Sequence, residues 1–374
     1  MKIQMLDLKG QYIKIKEELD REIGDVLNDC QFIGGRQVKE FAISLGKYTN
    51  SQHVITCANG TDALQIALMA LGLKSGDEVI LPAFTYAATA EVVSLLGLIP
   101  VLADINPESF NIDTSKLSSL ITAKTKAVMP VHLFGQSAEM NEIMIFAAKF
   151  GLKVVEDNAQ ALGAKYLMSD GVQRSCGTIG DIGCTSFFPS KNLGCYGDGG
   201  AMFTQDEDLA DMLRMIANHG QRVKYRHEVI GCNSRLDTLQ AAILSVKLKY
   251  LDQYTSLRQK SAALYRELLK DIDEIVLPKE TIGSTHVYHQ FTLRCKERDG
   301  LKEFLEKKGI PSMIYYPYPV HKQPAFISRV VRRCETPVSD KISEEVLSLP
   351  MHTELSYNQQ FFIAEAIKQF YKKK

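Results

Sequence analysis

A loop lysine with unusual neighbours is the first candidate for chemistry in this sequence. Lys191 lies in TSFFPSKNLGCYGDGGA, where two phenylalanines lead into a Pro-Ser-Lys turn that is followed by glycines. Most lysines are solvated charges, but apolar and small neighbours lower the pKa of an amine. The free amine can then condense with an aldehyde and move a proton between two carbon positions. Ser186, five residues earlier, can supply a hydroxyl to the same site.

An acid and an amide follow the apolar run KVVE. Asp157 comes directly after this run, at the end of a predicted buried strand, where a carboxylate needs a partner. Paired with a pyridine nitrogen, it would keep that ring protonated and able to take up electrons. Gln160, three residues later, is within reach of an oxygen on the same ring. The alternatives are an Asp that caps the next turn and an ordinary surface amide.

Two further segments could hold an anion and a flat ring. Gly60 and Thr61 lie between a predicted strand and helix, where free N–H groups and the helix dipole favour a phosphate. A plain N-cap role for Thr61 is the alternative, and no GxxxxGK[ST] loop is present. Tyr86 would lie beyond the strand EVIL and could stack on a planar group. Phe84 is its neighbour, and core packing is the alternative for that ring.

The elements that must position these residues alternate between short β-rich runs and helical patterns. The predicted strands are HVITC, EVIL, PVLA, AVMPV and KVVE, with helices at TDALQIALMAL and Tyr86–Leu96, followed by strands IGCTSFF and GAMFT. This rhythm predicts an α/β fold with a mostly parallel mixed sheet wrapped by helices. Ligands of such sheets bind beyond the carboxyl ends of the strands, and the candidate residues follow strands.

The C-terminal third has a different pattern. We predict one long helix over residues 236–269 as a connector, then a strand at HVYHQFTLRC, a helix at DGLKEFLEKKG and a closing helix around NQQFFIAEAIKQF. These elements indicate a smaller α+β domain. The predicted boundaries are a large domain over residues 1–245 and a small C-terminal domain over residues 246–374.

Composition excludes several classes of protein. Lys and Arg number 44, Asp and Glu also number 44, and the net charge is zero, so no overall basic field favours nucleic acid or an anionic membrane. No run reaches the ~20 apolar residues that span a bilayer, and the start lacks the apolar core of a signal peptide. Eight scattered cysteines without CxxC pairs indicate reduced thiols, not a disulfide framework or zinc site. We expect a cytoplasmic protein with no metal site.

Taken together, the motifs resemble one enzyme family. The stretches GTDALQIAL, PAFTYAATAE, VVEDNAQALGA, TSFFPSKNLGCYGDGG, NHGQ and GCNSRLDTLQAAIL resemble the DegT/DnrJ/EryC1/StrS sugar aminotransferases, and the resemblance covers essentially the whole chain. It implies a fold type I homodimer that binds pyridoxal 5′-phosphate (PLP) and has active sites shared between subunits. A related dehydratase branch replaces the lysine with histidine, whereas this chain keeps Lys191.

The resemblance also implies roles for individual residues. Lys191 matches the imine-forming lysine, Asp157 the acid at the pyridine nitrogen and Gln160 the group beside the ring hydroxyl. The remaining matches are phosphate binders, a stacking ring and a residue that reaches the neighbouring subunit's phosphate, which are Gly60, Thr61 and Ser186, then Tyr86, then Asn233.

The sugar is specified less well by these motifs. Within the family, the stretches are most similar to transaminases that use a UDP-linked 3-keto-N-acetylglucosaminuronate, and the donor in that branch is usually glutamate. Arg235 could pair with the uronate carboxylate, with a structural ion pair as the alternative. The segment IYYPYPVHKQP resembles a sugar-contacting loop and includes Tyr315, Tyr316 and His321. The uronate branch often has His-Tyr where this chain has Tyr315-Tyr316.

Two alternatives therefore stay open at this point. One is an aminotransferase that uses a dTDP- or GDP-linked keto sugar as its acceptor. The other is a non-catalytic regulator that keeps the fold and binds the cofactor or a sugar nucleotide as a sensor. The main prediction is an amino transfer that supplies building blocks for surface polysaccharides.

Overall fold

A computed structural model describes residues 2–327 and 331–372 of the chain. The helices in chain order are α1 (Leu8–Lys14), α2 (Lys16–Asp29), α3 (Arg36–Thr49), α4 (Gly60–Ala70), α5 (Ala87–Leu95), α6 (Met140–Phe150), α7 (Glu207–Ala217), α8 (Thr238–Leu248), α9 (Leu251–Leu269), α10 (Arg298–Lys307), α11 (Pro324–Ile327), α12 (Pro337–Glu345) and α13 (Tyr357–Lys372). Short 3-10 helices span Thr114–Leu120, Leu133–Gly135 and Val320–Lys322.

The strands fall into one large sheet, one smaller sheet and two hairpins. In chain order they are β1 (His53–Cys57), β2 (Glu78–Pro82), β3 (Ile99–Ala103), β4 (Thr125–Val128), β5 (Lys153–Asp157), β6 (Lys165–Leu167), β7 (Gln173–Ser175), β8 (Ile182–Ser186), β9 (Gly200–Thr204), β10 (Gln221–Val223), β11 (Arg226–His227), β12 (Ile275–Val276), β13 (Phe291–Cys295), β14 (Arg332–Arg333) and β15 (Val346–Leu349).

The large sheet has the order β1-β9-β8-β5-β4-β2-β3-β14. Strand β9 is antiparallel to both of its neighbours, and all pairs from β8 to β14 are parallel. Buried apolar residues of α4, α5 and α7 pack on one face, and those of α6 pack on the other. The predicted α/β fold with a mostly parallel sheet is confirmed, and it brings the carboxyl ends of β2, β4, β5 and β8 to one edge.

The smaller sheet, β12-β13-β15, is antiparallel. Its core is closed by apolar residues of α9, α10 and α13. Strand β14 lies beyond residue 246 but pairs with β3 of the large sheet. The boundary near residue 245 remains a prediction. Within the part of the chain that the structure describes, no helix is both long and apolar enough to cross a membrane.

Two predictions for the C-terminal third were wrong in detail. The helix over residues 236–269 is two helices, α8 and α9, separated at Lys249 and Tyr250. Both side chains contact Glu18 on α2, so a tertiary contact coincides with the break where no Pro or Gly occurs. The strand predicted at HVYHQFTLRC begins only at Phe291, and the stretch before it is a loop in which Tyr288 has a φ of 46°.

Candidate active site

The N-terminus of α4 and the end of β8 form a small cradle. Asn59 caps the helix by accepting the N–H of Asp62 at 2.8 Å, and the N–H groups before Asp62 have no partner within the helix because they begin it. A Cβ atom at Gly60 would lie 2.6 Å from the Cβ of Ser186, so only glycine fits here. The hydroxyls of Thr61 and Ser186 therefore lie at a helix N-terminus, where the dipole favours an anion.

The acid at the end of β5 is buried and oriented by hydrogen bonds. Asp157 is 6% exposed and accepts from Thr89 Oγ1 at 2.9 Å and from the N–H of Ala159 at 3.2 Å. Burial raises the pKa of Asp157, and the bond from Thr89 opposes that rise. The hydroxyl of Thr85 lies 3.1 Å from that of Thr89 and extends the chain of contacts. The carboxyl group is thus fixed in a dry site that suits a cationic partner.

Strand β5 is held in place by the residue before this acid. Glu156 is fully buried and accepts backbone N–H groups of Ile179 and Gly180 at 2.6 Å and of Gly177 at 2.8 Å. The Nε2 atom of His132 lies 2.8 Å from the same carboxylate. Hydrogen bonds to a charged group are the stronger ones, so Glu156 fixes the backbone from which Asp157 projects.

Lys191 lies in a turn after β8 and close to Asp157. Its N–H donates to the carbonyl of Phe188 at 2.8 Å, and its side chain is half-buried. Burial lowers the pKa of Lys191 to about 8, and the charge of Asp157 partly opposes this. The neighbouring Asn192 donates from Nδ2 to the carbonyl of Val287 at 2.9 Å, which ties the lysine turn to the loop before β13. With this pKa, about a tenth of the amine is unprotonated at pH 7, far more than for an ordinary lysine.

An amide and two tyrosine rings lie beside the acid. Gln160 accepts the N–H of Phe134 at 2.7 Å and donates to the hydroxyl of Tyr316 at 2.9 Å. The rings of Tyr316 and Tyr86 have centroids 6.1 Å apart, and Tyr86 is 60% exposed. Burial raises the pKa of Tyr316, and the charge of Asp157 adds to the rise. The exposed face of Tyr86 is available for stacking.

Of the candidate sugar contacts, the structure places only the tyrosine pair against the acid site. The half-buried Tyr315 lies against Tyr316, with ring centroids 5.9 Å apart. His321 forms a hydrogen bond from Nε2 to Asp340 Oδ1 at 2.9 Å, and burial lowers its pKa. One residue before it, Val320 is anchored to the end of β2, so this loop borders the site. His321 is bonded to the protein, which favours a structural role in this conformation.

Asn233 and Arg235 are not part of this cluster in a single chain. Both side chains are exposed, and the structure shows no hydrogen bond from either side chain to the site residues it describes. Ser234 between them is buried and donates to Asp62 Oδ2 at 2.6 Å in the first turn of α4. The segment runs beside the cradle and presents its two neighbouring side chains outward.

Sequence reasoning missed residues that only the fold brings to the site. Thr89 lies one turn into α5 after Tyr86, and helical spacing from Thr85 could have placed it on the same face. His289 was assigned to a strand, but it lies in the loop that Asn192 contacts and is 6% exposed. No local pattern pointed to His289.

The residues present fit a phosphorylated, cationic ring that carries an aldehyde. A cradle that tolerates only glycine would hold the phosphate, a buried acid would face a ring nitrogen, and an amine of lowered pKa would meet the aldehyde. This fold and site define a PLP-dependent transferase of fold type I. Residues 13–368 match the DegT/DnrJ/EryC1/StrS aminotransferase family, and the chain belongs to that family. Its cofactor is pyridoxal phosphate.

Individual relatives cover nearly the whole chain. A protein of Geobacillus stearothermophilus named pleiotropic regulatory protein is 46% identical over 100% of this chain and 99% of its own. The UDP-2-acetamido-2-deoxy-3-oxo-D-glucuronate aminotransferase of Pseudomonas aeruginosa is 47% identical over 94% of this chain and 96% of its own. A dTDP-3-amino-3,4,6-trideoxy-α-D-glucose transaminase of Streptomyces venezuelae is 37% identical over 99% and 96%.

Solved structures agree with this assignment. A family member from Brucella abortus superposes with a TM-score of 0.94 at 43% identity, covering 98% of this chain and 99% of the other. NtdA from Bacillus subtilis, solved with bound pyridoxamine phosphate, has a TM-score of 0.87 at 32% identity, covering 96% and 82%. These similarities agree with the α/β fold and with pyridoxal phosphate as the cofactor.

Proposed function

We propose that this protein transfers an amino group from an amino acid, expected to be glutamate, to the keto carbon of a nucleotide-linked keto sugar. The best-supported acceptor is C3 of a UDP-linked 3-keto-N-acetylglucosaminuronate. The observation that carries the proposal is that two groups lie close together. The amine of Lys191 has a pKa near 8, and the charge of the buried Asp157 acts on it. The acceptor is supported by similarity to the Pseudomonas aeruginosa enzyme.

Each side chain has a distinct task in this proposal. When bound, PLP supplies an aldehyde that condenses with amines and a cationic ring that stabilises a carbanion. Lys191 would hold the cofactor through its amine and, once released, would move the proton between the two carbon positions. Asp157 would hold the proton on the ring nitrogen, and Thr89 fixes the orientation of that carboxylate. The cradle at Gly60 and Ser186 would bind the phosphate.

The role of Lys191 can be tested by chemical trapping. Borohydride added to the holoenzyme should abolish the visible absorbance of the bound cofactor and leave its mass on the peptide that contains Lys191. Lys247 is an internal control, because it is also buried and its pKa is also lowered to about 8. Cofactor found on Lys247, or a Lys191→Ala protein that still transfers amino groups, would overturn the central assignment.

The acceptor can be identified with a panel of keto sugars. UDP-linked 3-keto sugars with and without the C6 carboxylate, and their dTDP and GDP counterparts, are mixed with enzyme and glutamate, and amino sugars are detected by mass spectrometry. A uronate preference that Arg235→Gln abolishes would support the role of Arg235. Equal turnover of the uronate and the neutral sugar by the unaltered enzyme would reject that role. Faster turnover of dTDP or GDP sugars would favour the alternative acceptors, since the Streptomyces venezuelae relative is named for a dTDP sugar.

A regulatory function is a second candidate because a relative 46% identical to this chain carries a regulatory name. A sensor could bind the cofactor without turnover, so the discriminating result is the fate of the amino group. Conversion of the bound cofactor to its amine form by glutamate, followed by its return on addition of a keto sugar, would reject a purely regulatory protein.

Active sites shared between two subunits form part of the proposal. Asn233 is exposed beside the cradle, and the β10–β11 hairpin region exposes Tyr225 (81%) and Ile230 (87%), apolar groups that a partner subunit would cover. Mixing inactive Lys191→Ala and Asn233→Asp chains tests this arrangement. Random pairing into symmetric dimers would restore about a quarter of the sites, because each mixed dimer has one intact site. No recovery after the subunits have exchanged would refute shared sites.

The proposed setting is cytoplasmic, in the synthesis of amino sugars for surface polysaccharides such as lipopolysaccharide. All eight cysteines are free in the structure, which suits a reducing compartment.

A further inference from the structure

His289 lies in the loop before β13, and the backbone of this loop is held in place by hydrogen bonds and close packing. The side chain is 6% exposed. Arg258 Nη1 donates to the carbonyls of Tyr288 at 3.0 Å and His289 at 3.4 Å. Gly135 packs so closely against this loop that a Cβ atom on Gly135 would lie 2.8 Å from the backbone nitrogen of His289. The backbone of the loop is therefore held from two sides at His289.

The same loop is connected to Lys191 by structure and by charge. Asn192, the residue after the lysine, donates to the carbonyl of Val287, two residues before His289. Burial lowers the pKa of His289 well below its ordinary value, and the positive charges of Lys191 and Arg258 lower it further. The imidazole is thus neutral at physiological pH and lies within the field of the lysine amine.

The two ring nitrogens of this neutral imidazole have different surroundings. His289 Nδ1 is buried and has no partner among the described residues. The other nitrogen, Nε2, lies 3.5 Å from the side-chain nitrogen Nε2 of Gln290. When an amide group turns by 180°, its nitrogen and oxygen exchange places; in that turned orientation the Gln290 oxygen accepts the proton of Nε2, and Nδ1 is the acceptor of the imidazole. Buried polar atoms are rarely left unpaired, so Nδ1 requires a donor.

We propose that His289 is a positioning residue for Lys191, accepting a hydrogen bond on Nδ1 from the lysine amine when that amine is not attached to the cofactor. This inference rests on the proposed role of Lys191 as the cofactor lysine. The lysine stem is long and flexible, and Asp157 is the charged group that faces the amine from β5. Without a second contact, the released amine could settle against that carboxylate. His289 holds it from the side of the β13 loop, away from that position.

The hydrogen bond also affects the proton that Lys191 moves. A neutral acceptor stabilises the ammonium form after Lys191 has taken a proton, and it does not take the proton itself because its own pKa is too low. Burial keeps the imidazole uncharged, and the charge of Arg258, which binds the carbonyl of His289, adds to this effect. Loss of the acceptor should therefore lower kcat, which contains the proton transfer, and leave KM for the sugar nearly unchanged.

The test measures the titration of Lys191 directly. The full-length protein is loaded with pyridoxamine 5′-phosphate, so that Lys191 is free, and its pH-dependent labelling by acetic anhydride is followed by peptide mass spectrometry. In His289→Leu the ratio of ammonium to amine at a given pH should fall about tenfold, the effect of losing one hydrogen bond to a charged group. His289→Asn places an oxygen near the position of Nδ1 and should titrate like the unaltered protein.

His286→Asn is the matched control. His286 is equally buried on the same loop, and its Nδ1 accepts the N–H of Tyr288 at 3.0 Å, an acceptor that asparagine retains. Unaltered titration of Lys191 in His289→Leu would overturn the proposal, and so would an equal change in His286→Asn. The measurement needs neither amino donor nor sugar. Failure of the enzyme to transfer amino groups would therefore refute the proposed function without affecting the result of the labelling test.

Discussion

Substitution of Glu156 by Gln tests whether the framework behind Asp157 depends on a buried charge. The carboxylate accepts three backbone N–H groups, and His132 Nε2 lies 2.8 Å away. The proton of this imidazole is on Nε2, because Nδ1 accepts the N–H of Ala138 at 3.1 Å. All four neighbours of Glu156 are therefore donors. A glutamine amide group must face some of them with its own N–H groups.

The expected cost follows from this count of donors. One carboxylate oxygen accepts two hydrogen bonds and the other accepts the remaining two, so either orientation of the glutamine loses two charge-assisted bonds. Each bond to a charged group contributes about 1.5–3 kcal/mol, and disruption of a buried ionic network costs about 3–5 kcal/mol. We expect the free energy of unfolding of Glu156→Gln to fall by about 3–5 kcal/mol.

The assay is denaturant unfolding of the holoenzyme monitored by circular dichroism, together with Tm. Glu139→Gln is the control, because that partly exposed carboxylate accepts a single side-chain hydrogen bond, from Thr114 Oγ1 at 2.9 Å, which an amide oxygen can also accept. The control should change stability by less than about 1 kcal/mol. If Glu156→Gln were no less stable than the control, the buried charge would not be what holds β5.

Two further predictions concern the cradle and the stability of the protein in acid. Gly60→Ala should weaken cofactor binding about tenfold or more in an absorbance titration, because the new Cβ atom would lie 2.6 Å from the Cβ of Ser186. The control is Gly24→Ala, inside α2 with open space around it, which should add about 0.5–1 kcal/mol of stability. Burial lowers the pKa of His286 to about 3 from an unfolded value of 6.5, so its neutral form contributes stability above pH 6.5 that is lost as the pH falls towards 3. His286→Asn should lose up to about 1.4 kcal/mol less per pH unit across that window, and parallel pH–stability curves would contradict this assignment.

The cofactor site could be anticipated from sequence because each member is marked by local chemistry. Asp157 ends an apolar strand, Lys191 follows a run of phenylalanines, and Gly60 opens a helix directly after a strand. The carboxyl ends of parallel strands lie at one edge of the sheet, so the strand pattern alone predicts that these positions lie close together. The structure brings Asp157, Gln160, Tyr86 and Lys191 to one site.

Other predictions depended on contacts between distant segments and were less successful. The prediction of one continuous helix over residues 236–269 was wrong. The chain forms two helices, and the break coincides with contacts of Lys249 and Tyr250 with Glu18 in an N-terminal helix. The strand predicted at HVYHQFTLRC was wrong at its start: the chain before Phe291 is a loop, and this loop lies close to Gly135. Neither contact has a signature in the local periodicity.

The sequence by itself determined the α/β class, the family and the types of side chain at the strand ends, since these depend on periodicity and on neighbours along the chain. Only the tertiary structure decided which groups orient those side chains and shift their pKa values. Thr89 orients Asp157, the carboxylate of Glu156 fixes its strand against residues 177–180, and the loop of His289 is hydrogen-bonded to the turn of Lys191. No local pattern spans these sequence separations. Burial is also a tertiary property, and burial is what brings the amine of Lys191 to a pKa near 8.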